Sequence, residues 1–139
     1  MFEKLGGVQA RAAAISFWTN RGIEAVRDYN EFCLPLYTQR KLPSGFYSRA
    51  VRNPEMSLVF VEDELKPAAM MERLGRVECP TLVLADEKDP ITPAADAEEI
   101  VAALPAGLAQ FHRFANAGHH LFWDAPESFF ETVRRFIMM

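Results

Sequence analysis

A run of five apolar residues, Thr81-Leu82-Val83-Leu84-Ala85, constrains the fold of this chain more than any other feature. Pro80 precedes it and the charged turn Asp86-Glu87-Lys88-Asp89 follows, so it is too short for a core helix. It also lacks the polar alternation that would let one face meet water, and so reads as a strand buried on both faces. Thr92-Pro93 then signals a helix start, a cap residue followed by proline. Ala97, Ile100, Val101 and Leu104 share the apolar face of that helix, and Pro105 and Gly107 stop it. A second strand is expected near residues 110–114. Strand, helix and strand in that order imply a right-handed crossover and a parallel pair. After the loop 115–123, Asp124 and Glu127 form a capping-box pair that opens a last helix. Its apolar face is Phe129, Phe130, Val133, Phe136 and Ile137, and it needs a sheet to lie on.

Two strands are few. Both edges of such a pair expose unpaired backbone groups, and Thr81 to Ala85 is too apolar for an open edge. Each buried group left unpaired costs on the order of 1–3 kcal/mol. The simplest cover is a second copy of the chain. The expectation is a homodimer in which the 81–85 strands meet near a two-fold axis, or in which helices of the first half are exchanged.

The first 76 residues read as helical. Ala12, Ala13, Ile15 and Ser16 recur at helical spacing within 9–17, behind a flexible entry at Gly6-Gly7. Thr19-Asn20 offers cap chemistry for a second helix carrying Ile23, Val26, Tyr29, Cys33 and Tyr37, which Pro35 kinks or ends. Asn53-Pro54-Glu55 signals another start, and Pro67 opens a short helix with Met70, Met71 and Leu74. Phe17, Trp18, Phe46, Tyr47, Phe60, Met70 and Met71 are read as core rather than as pocket lining. The division expected is a helical region, 1–76, and an α/β segment, 77–139, within one folded unit. A chain of 139 residues can bury one core of that size.

A net charge of −4, with no cluster of Lys and Arg, argues against a nucleic-acid surface and leaves small molecules as the expected partners. No apolar run reaches the length of a membrane span. The start MFEKLGGVQARAAAISFW lacks the charged-then-apolar order of a signal peptide, so a cytoplasmic protein is the default expectation. Cys33 and Cys79 have no spacing for zinc or redox work and are expected to be free, buried thiols.

The chemistry lies at the strand ends. Asp89 stands just past the first strand, and His119-His120 in the loop after the second. Pro80-Thr81-Leu82-Val83-Leu84-Ala85 with Asp89-Pro90-Ile91-Thr92-Pro93, and Ala117-Gly118-His119 with Asp124-Ala125-Pro126-Glu127, resemble two motifs of α/β-hydrolase-fold enzymes. The likeness is to the proline iminopeptidase and esterase-like group with a helical cap. It implies that Asp89 is the acid and His119 the base of a Ser-His-Asp triad, and that the helical first half is cap-like. The family's G-x-S-x-G elbow occurs nowhere in this sequence. The fold expected is therefore a truncated α/β-hydrolase: a cap and a two-stranded parallel unit, completed by dimerisation.

Asp86 stands where the family usually has glycine, so Asp86, Glu87 and Asp89 cluster opposite His119 and His120. Carboxylates at strand ends are usually solvated turn residues. Facing imidazoles, they are also a place for Zn²⁺ or another divalent metal, with His119, Asp89, His120 and Asp86 as candidate ligands. The function expected is hydrolysis of small activated esters, carboxylic or phosphotriester, without a serine nucleophile. Water would be activated by His119 and Asp89 or by the metal. The alternative is a non-catalytic remnant, or the C-terminal half of a split serine hydrolase that needs a partner chain. His119 and His120 also admit a bland reading as loop residues satisfied by backbone, and His112, between Phe111 and Phe114, is read as structural.

Overall fold

The computed structural model describes residues 1–20, 22–46, 49, 51 and 67–139. The start expected at Asn53-Pro54-Glu55, together with Tyr47 and Phe60, lies outside them. Helix α1 (Phe2–Asn20) is bent at Gly7, whose φ of 73° is left-handed and suits a residue without a Cβ. The glycine pair is thus a bend inside the helix and not an entry before it. Ala10, Ala13 and Ala14 are its buried residues, whereas Ala12 and Ile15 are exposed. The buried stripe is made of small side chains because α2 (Ile23–Phe32) packs closely on it. Tyr29 and Cys33 close that contact, with Phe17, Leu36 and Tyr37 around it.

Thr19 does not cap α2. Its hydroxyl donates back to the Ile15 carbonyl at 2.8 Å, and Gly22 takes the N-cap position without a side-chain bond. Ile23 and Val26, expected on the apolar face, are exposed. Pro35 enters a short 3₁₀ turn, Leu34–Tyr37, where its missing N–H costs nothing. Helix α3 (Pro67–Leu74) begins at its proline as expected.

The apolar run forms β1 (Thr81–Asp86). Helix α4 (Ala94–Ala103) crosses over to β2 (Ala109–Phe114), and the two strands pair in parallel from Thr81 opposite Ala109 to Asp86 opposite Phe114. Among the described residues β1 has no strand on its other edge. Val83, Ala85 and Asp86 are buried, while β2 is open along most of its length, with His112 exposed.

A short helix α5 (Leu121–Asp124) and the last helix α6 (Pro126–Ile137) follow. Leu121 joins Phe114 and Ala117 in a second buried cluster, against which Leu84 and Phe129 pack. The outer part of α6 is uncovered, with Phe130 55% and Ile137 72% exposed, because two strands offer too little sheet for it. Cys33 is buried and donates its thiol to the Ala10 carbonyl at 3.3 Å, whereas Cys79, expected to be buried, is exposed; both are free. No helix among the described residues is long and apolar enough to cross a membrane.

Candidate active site

Two loops leave the C-terminal ends of β1 and β2 side by side, held together by backbone bonds. Glu87 N–H donates to the Phe114 carbonyl and Lys88 N–H to the Ala117 carbonyl, each at 3.1 Å. This stitching places the residue after the first turn, Asp89, beside the histidine loop.

Asp89 is 3% exposed, and donors surround its carboxylate. Oδ1 accepts the N–H of Ile91 at 2.7 Å and of Thr92 at 3.1 Å, and Oδ2 accepts the Thr92 hydroxyl at 2.6 Å. His119 Nδ1 lies 2.9 Å from Oδ2. Burial pushes the acidity of Asp89 toward the neutral form, but the bonds from His119, Thr92 and the two N–H groups outweigh it and hold the pKa below the usual carboxylate value. An ionised Asp89 can only accept, so Nδ1 carries the imidazole proton and Nε2 holds the lone pair. The bond to Asp89 raises the pKa of His119 above 6.5, against a smaller opposing effect of burial.

The His119 side chain is 35% exposed and borders a groove of about 350 Å³. Asp86, Asp89, Thr92, Asp96 and Ile100 line the same groove, which runs between β1 and α4. A cleft of about 450 Å³ elsewhere, around Leu34, Thr38, Arg40 and Lys41, holds no comparable acid–base pair.

The other expected site residues have different surroundings. The ring of His120 lies among Tyr37, Phe46 and Phe122 at centroid distances of 6.0, 6.2 and 6.0 Å. Burial, and then the neighbouring His119, push its pKa below 6.5. Asp86 is 7% exposed, and its Oδ1 has no hydrogen-bond partner among the described residues. Burial first, then Asp89 and Asp124, push its pKa up to about 7, with His119 opposing. Among the described residues no group of three or more His, Cys, Asp or Glu side chains is arranged to hold a metal ion. Both Asp89 oxygens already accept two donors each, so the set His119, Asp89, His120 and Asp86 does not fit a divalent cation.

Three residues of the site carry roles other than those expected from the sequence. Thr92, expected to cap α4, gives its hydroxyl to Asp89, and that helix has no side-chain cap. The Asp-x-x-Thr spacing at 89–92 is the signal for it, since Asp favours bonding to backbone two and three residues on. Asp124, expected in a capping box, has its carboxylate on the N–H groups of Gln39, Arg40 and Gly118, and Ala125 takes the N-cap of α6. Tyr37 sets its ring edge-on to His119 at 5.2 Å between centroids. No local pattern announces these last two, because their partners are distant in the chain.

Comparison with known proteins bears on the fold. The sequence matches the alpha/beta hydrolase fold over residues 6–126. The esterase EaEST from Exiguobacterium antarcticum superposes with a TM-score of 0.62 at 17% identity, over 93% of this chain and 47% of its own. MGS-M2, an alpha/beta hydrolase enzyme from a Medee basin deep-sea metagenome library, superposes with a TM-score of 0.54 at 15% identity, over 99% of this chain and 51% of its own. At these identities the likeness is one of fold, and the chain spans about half the length of either structure. No curated protein matches the sequence.

Proposed function

Because this chain belongs to the alpha/beta hydrolase fold family, we propose that it serves the hydrolysis of small activated carboxylic esters, with His119 as general base and Asp89 as the residue that orients it. The observation that carries this reading is the 2.9 Å contact between His119 Nδ1 and a buried Asp89, beside an open groove. Nε2 takes a proton from the attacking oxygen as that oxygen bonds to the ester carbonyl. Asp89 stays ionised and stabilises the imidazolium. The same proton then passes to the departing alkoxide as the C–O bond breaks.

The attacking oxygen is that of water when the chain acts alone. A second reading draws on the uncovered edge of β1: a strand pairing there brings a hydroxyl nucleophile with it. Hydrolysis of an aryl acetate by the purified chain, with no labelling by a serine-directed fluorophosphonate, is the result expected for water. Activity that arises only together with labelling selects the second reading. No turnover in either setting would sink both. Phosphotriester hydrolysis would depend on a metal, which the donor set does not fit.

The base must be neutral to act, so activity rises with pH through the folded pKa of His119. Since Asp89 raises that pKa, the acid limb of kcat/KM falls above pH 6.5. A limb below pH 6 would contradict the pairing.

The β1 edge, which no strand among the described residues pairs with, also supports self-association. A second copy pairing along residues 81–85 gives a dimer by sedimentation velocity at micromolar concentration. A well-folded monomer under those conditions removes the second copy as the cover.

A further inference from the structure

We propose that Asp124 is a positioning residue for His119, fastening residues 37–40 of the helical half to the histidine loop so that the helical half sets the orientation of the imidazole. The proposal builds on the reading of His119 as base. Its warrant is a carboxylate whose bonds are long-range and whose local task is missing. Oδ1 accepts the N–H of Gln39 and of Arg40, both at 3.0 Å, and Oδ2 accepts Gln39 N–H and Gly118 N–H, both at 2.8 Å. Gln39 and Arg40 are 85 and 84 residues away in sequence, whereas Gly118 precedes His119 directly. Four short contacts nearly exhaust the acceptor capacity of a carboxylate, and bonds to a charged acceptor are about twice as strong as neutral ones.

Other contacts run along the same seam. His120 N–H donates to the Tyr37 carbonyl at 3.3 Å, and Arg40 Nη1 to the Trp123 carbonyl at 3.2 Å. A Cβ on Gly118 would sit 2.5 Å from the Tyr37 oxygen, so the two backbones approach more closely than any side chain allows. Tyr37 continues the connection on both sides. Its ring meets the edge of His119, and its hydroxyl lies 2.7 Å from that of Tyr29 on α2. A continuous path of contacts therefore joins the helical half to the imidazole, with the Asp124 carboxylate at its centre.

An asparagine at 124 offers one oxygen and an NH₂ group, and the NH₂ would face backbone N–H donors. In Asp124→Asn the amides of Gln39, Arg40 and Gly118 are expected to exchange with solvent about 10- to 100-fold faster, the equivalent of one lost hydrogen bond to a charged acceptor. The far-downfield NMR signal of the His119 Nδ1 proton should broaden or vanish while the methyl spectrum stays that of a folded protein. Asp124→Glu, which keeps the charge, should recover part of the protection.

Gly118→Ala gives the second test, since it forces the Tyr37 carbonyl away without altering charge, and it should affect the same proton. Leu104→Val, which weakens buried packing at the C-terminal end of α4, at the far end of the strands from the histidine loop, should leave that proton in place. A folded Asp124→Asn protein with wild-type amide exchange and an intact downfield proton overturns the proposal. So does loss of that proton to the same degree in Leu104→Val. None of these readouts needs turnover, so a chain that fails to hydrolyse esters refutes the base assignment and leaves the positioning role to be decided by the spectra.

Discussion

His119→Ala is expected to lower ester hydrolysis by about 10²–10⁴-fold, the span that a positioned general base contributes. The fold should survive, because the imidazole is 35% exposed and its loss leaves Asp89 with three donors from Ile91 and Thr92. Asp89→Asn should be about as damaging to activity for a different reason. An amide at 89 can donate to Nδ1, which then holds the lone pair and leaves the proton on Nε2, where the base is needed. Asp89→Asn also disturbs the turn that Asp89 organises, so its stability should fall where that of His119→Ala does not. His120→Ala should reduce the rate only mildly, since His120 is packed among aromatic rings and Asp89 bonds His119. Matched rates for aryl acetate turnover and urea melts of all three variants check this. Full activity in His119→Ala would remove the base from the scheme.

A second large effect is expected in stability, and it comes from Asp86. Its folded pKa of about 7 lies well above the 3.8 of an ordinary Asp. Between those values the native chain holds a proton that the unfolded chain has released. Stability contributed by this group is therefore present at low pH and is lost as pH rises toward and through 7. Between pH 5 and pH 8 the loss should be on the order of 2–3 kcal/mol, because one proton of difference between the folded and unfolded chains changes stability by about 1.4 kcal/mol for every pH unit. Asp86→Asn carries no titrating proton, so it should match the parent only at or below the ordinary Asp pKa of 3.8, exceed it by about 1–2 kcal/mol at pH 5, and exceed it by about 2–3 kcal/mol more at pH 8. The loss of charge on His119 over the same range occurs in both proteins and largely cancels, since Asp89 dominates the shift of His119 and Asp86 contributes least to it. Denaturant melts at the two pH values measure the difference, and parallel pH dependence in parent and variant would show that Asp86 is not buried as a neutral acid.

The residues that could be read in the sequence are those whose partners are close in the chain or whose pattern is periodic. β1 was legible as an apolar run between a proline and a charged turn, and the parallel pairing of β2 follows from a single crossover. Asp89 and His119 were legible as site candidates by their place after two parallel strands, a position that brings loop residues together. Capping was read less well, and for one physical reason. Thr19, Thr92 and Asp124 all have the chemistry of caps, yet each gives its side chain to another acceptor or donor: the Ile15 carbonyl, the Asp89 carboxylate and the N–H groups of residues 39, 40 and 118. Short polar side chains compete among several backbone targets, and a target many residues away leaves no trace in local spacing. The buried face of α1 was misplaced by a similar limit. Ile15 is the larger apolar residue, but the close approach of α2 selects Ala10, Ala13 and Ala14 instead.

The two thiols also provide a chemical handle on the edge of β1 that no strand among the described residues pairs with. Cys33 has no exposed surface, and burial pushes its pKa up to about 11, so almost none of it is thiolate at neutral pH. Cys79 is exposed, two residues before the first residue of β1. A maleimide or iodoacetamide therefore marks the mouth of that strand alone. The rate of alkylation becomes a clock for how long the edge stands bare: brisk when nothing pairs there, slowed in proportion to the fraction of time that a visiting strand shields it.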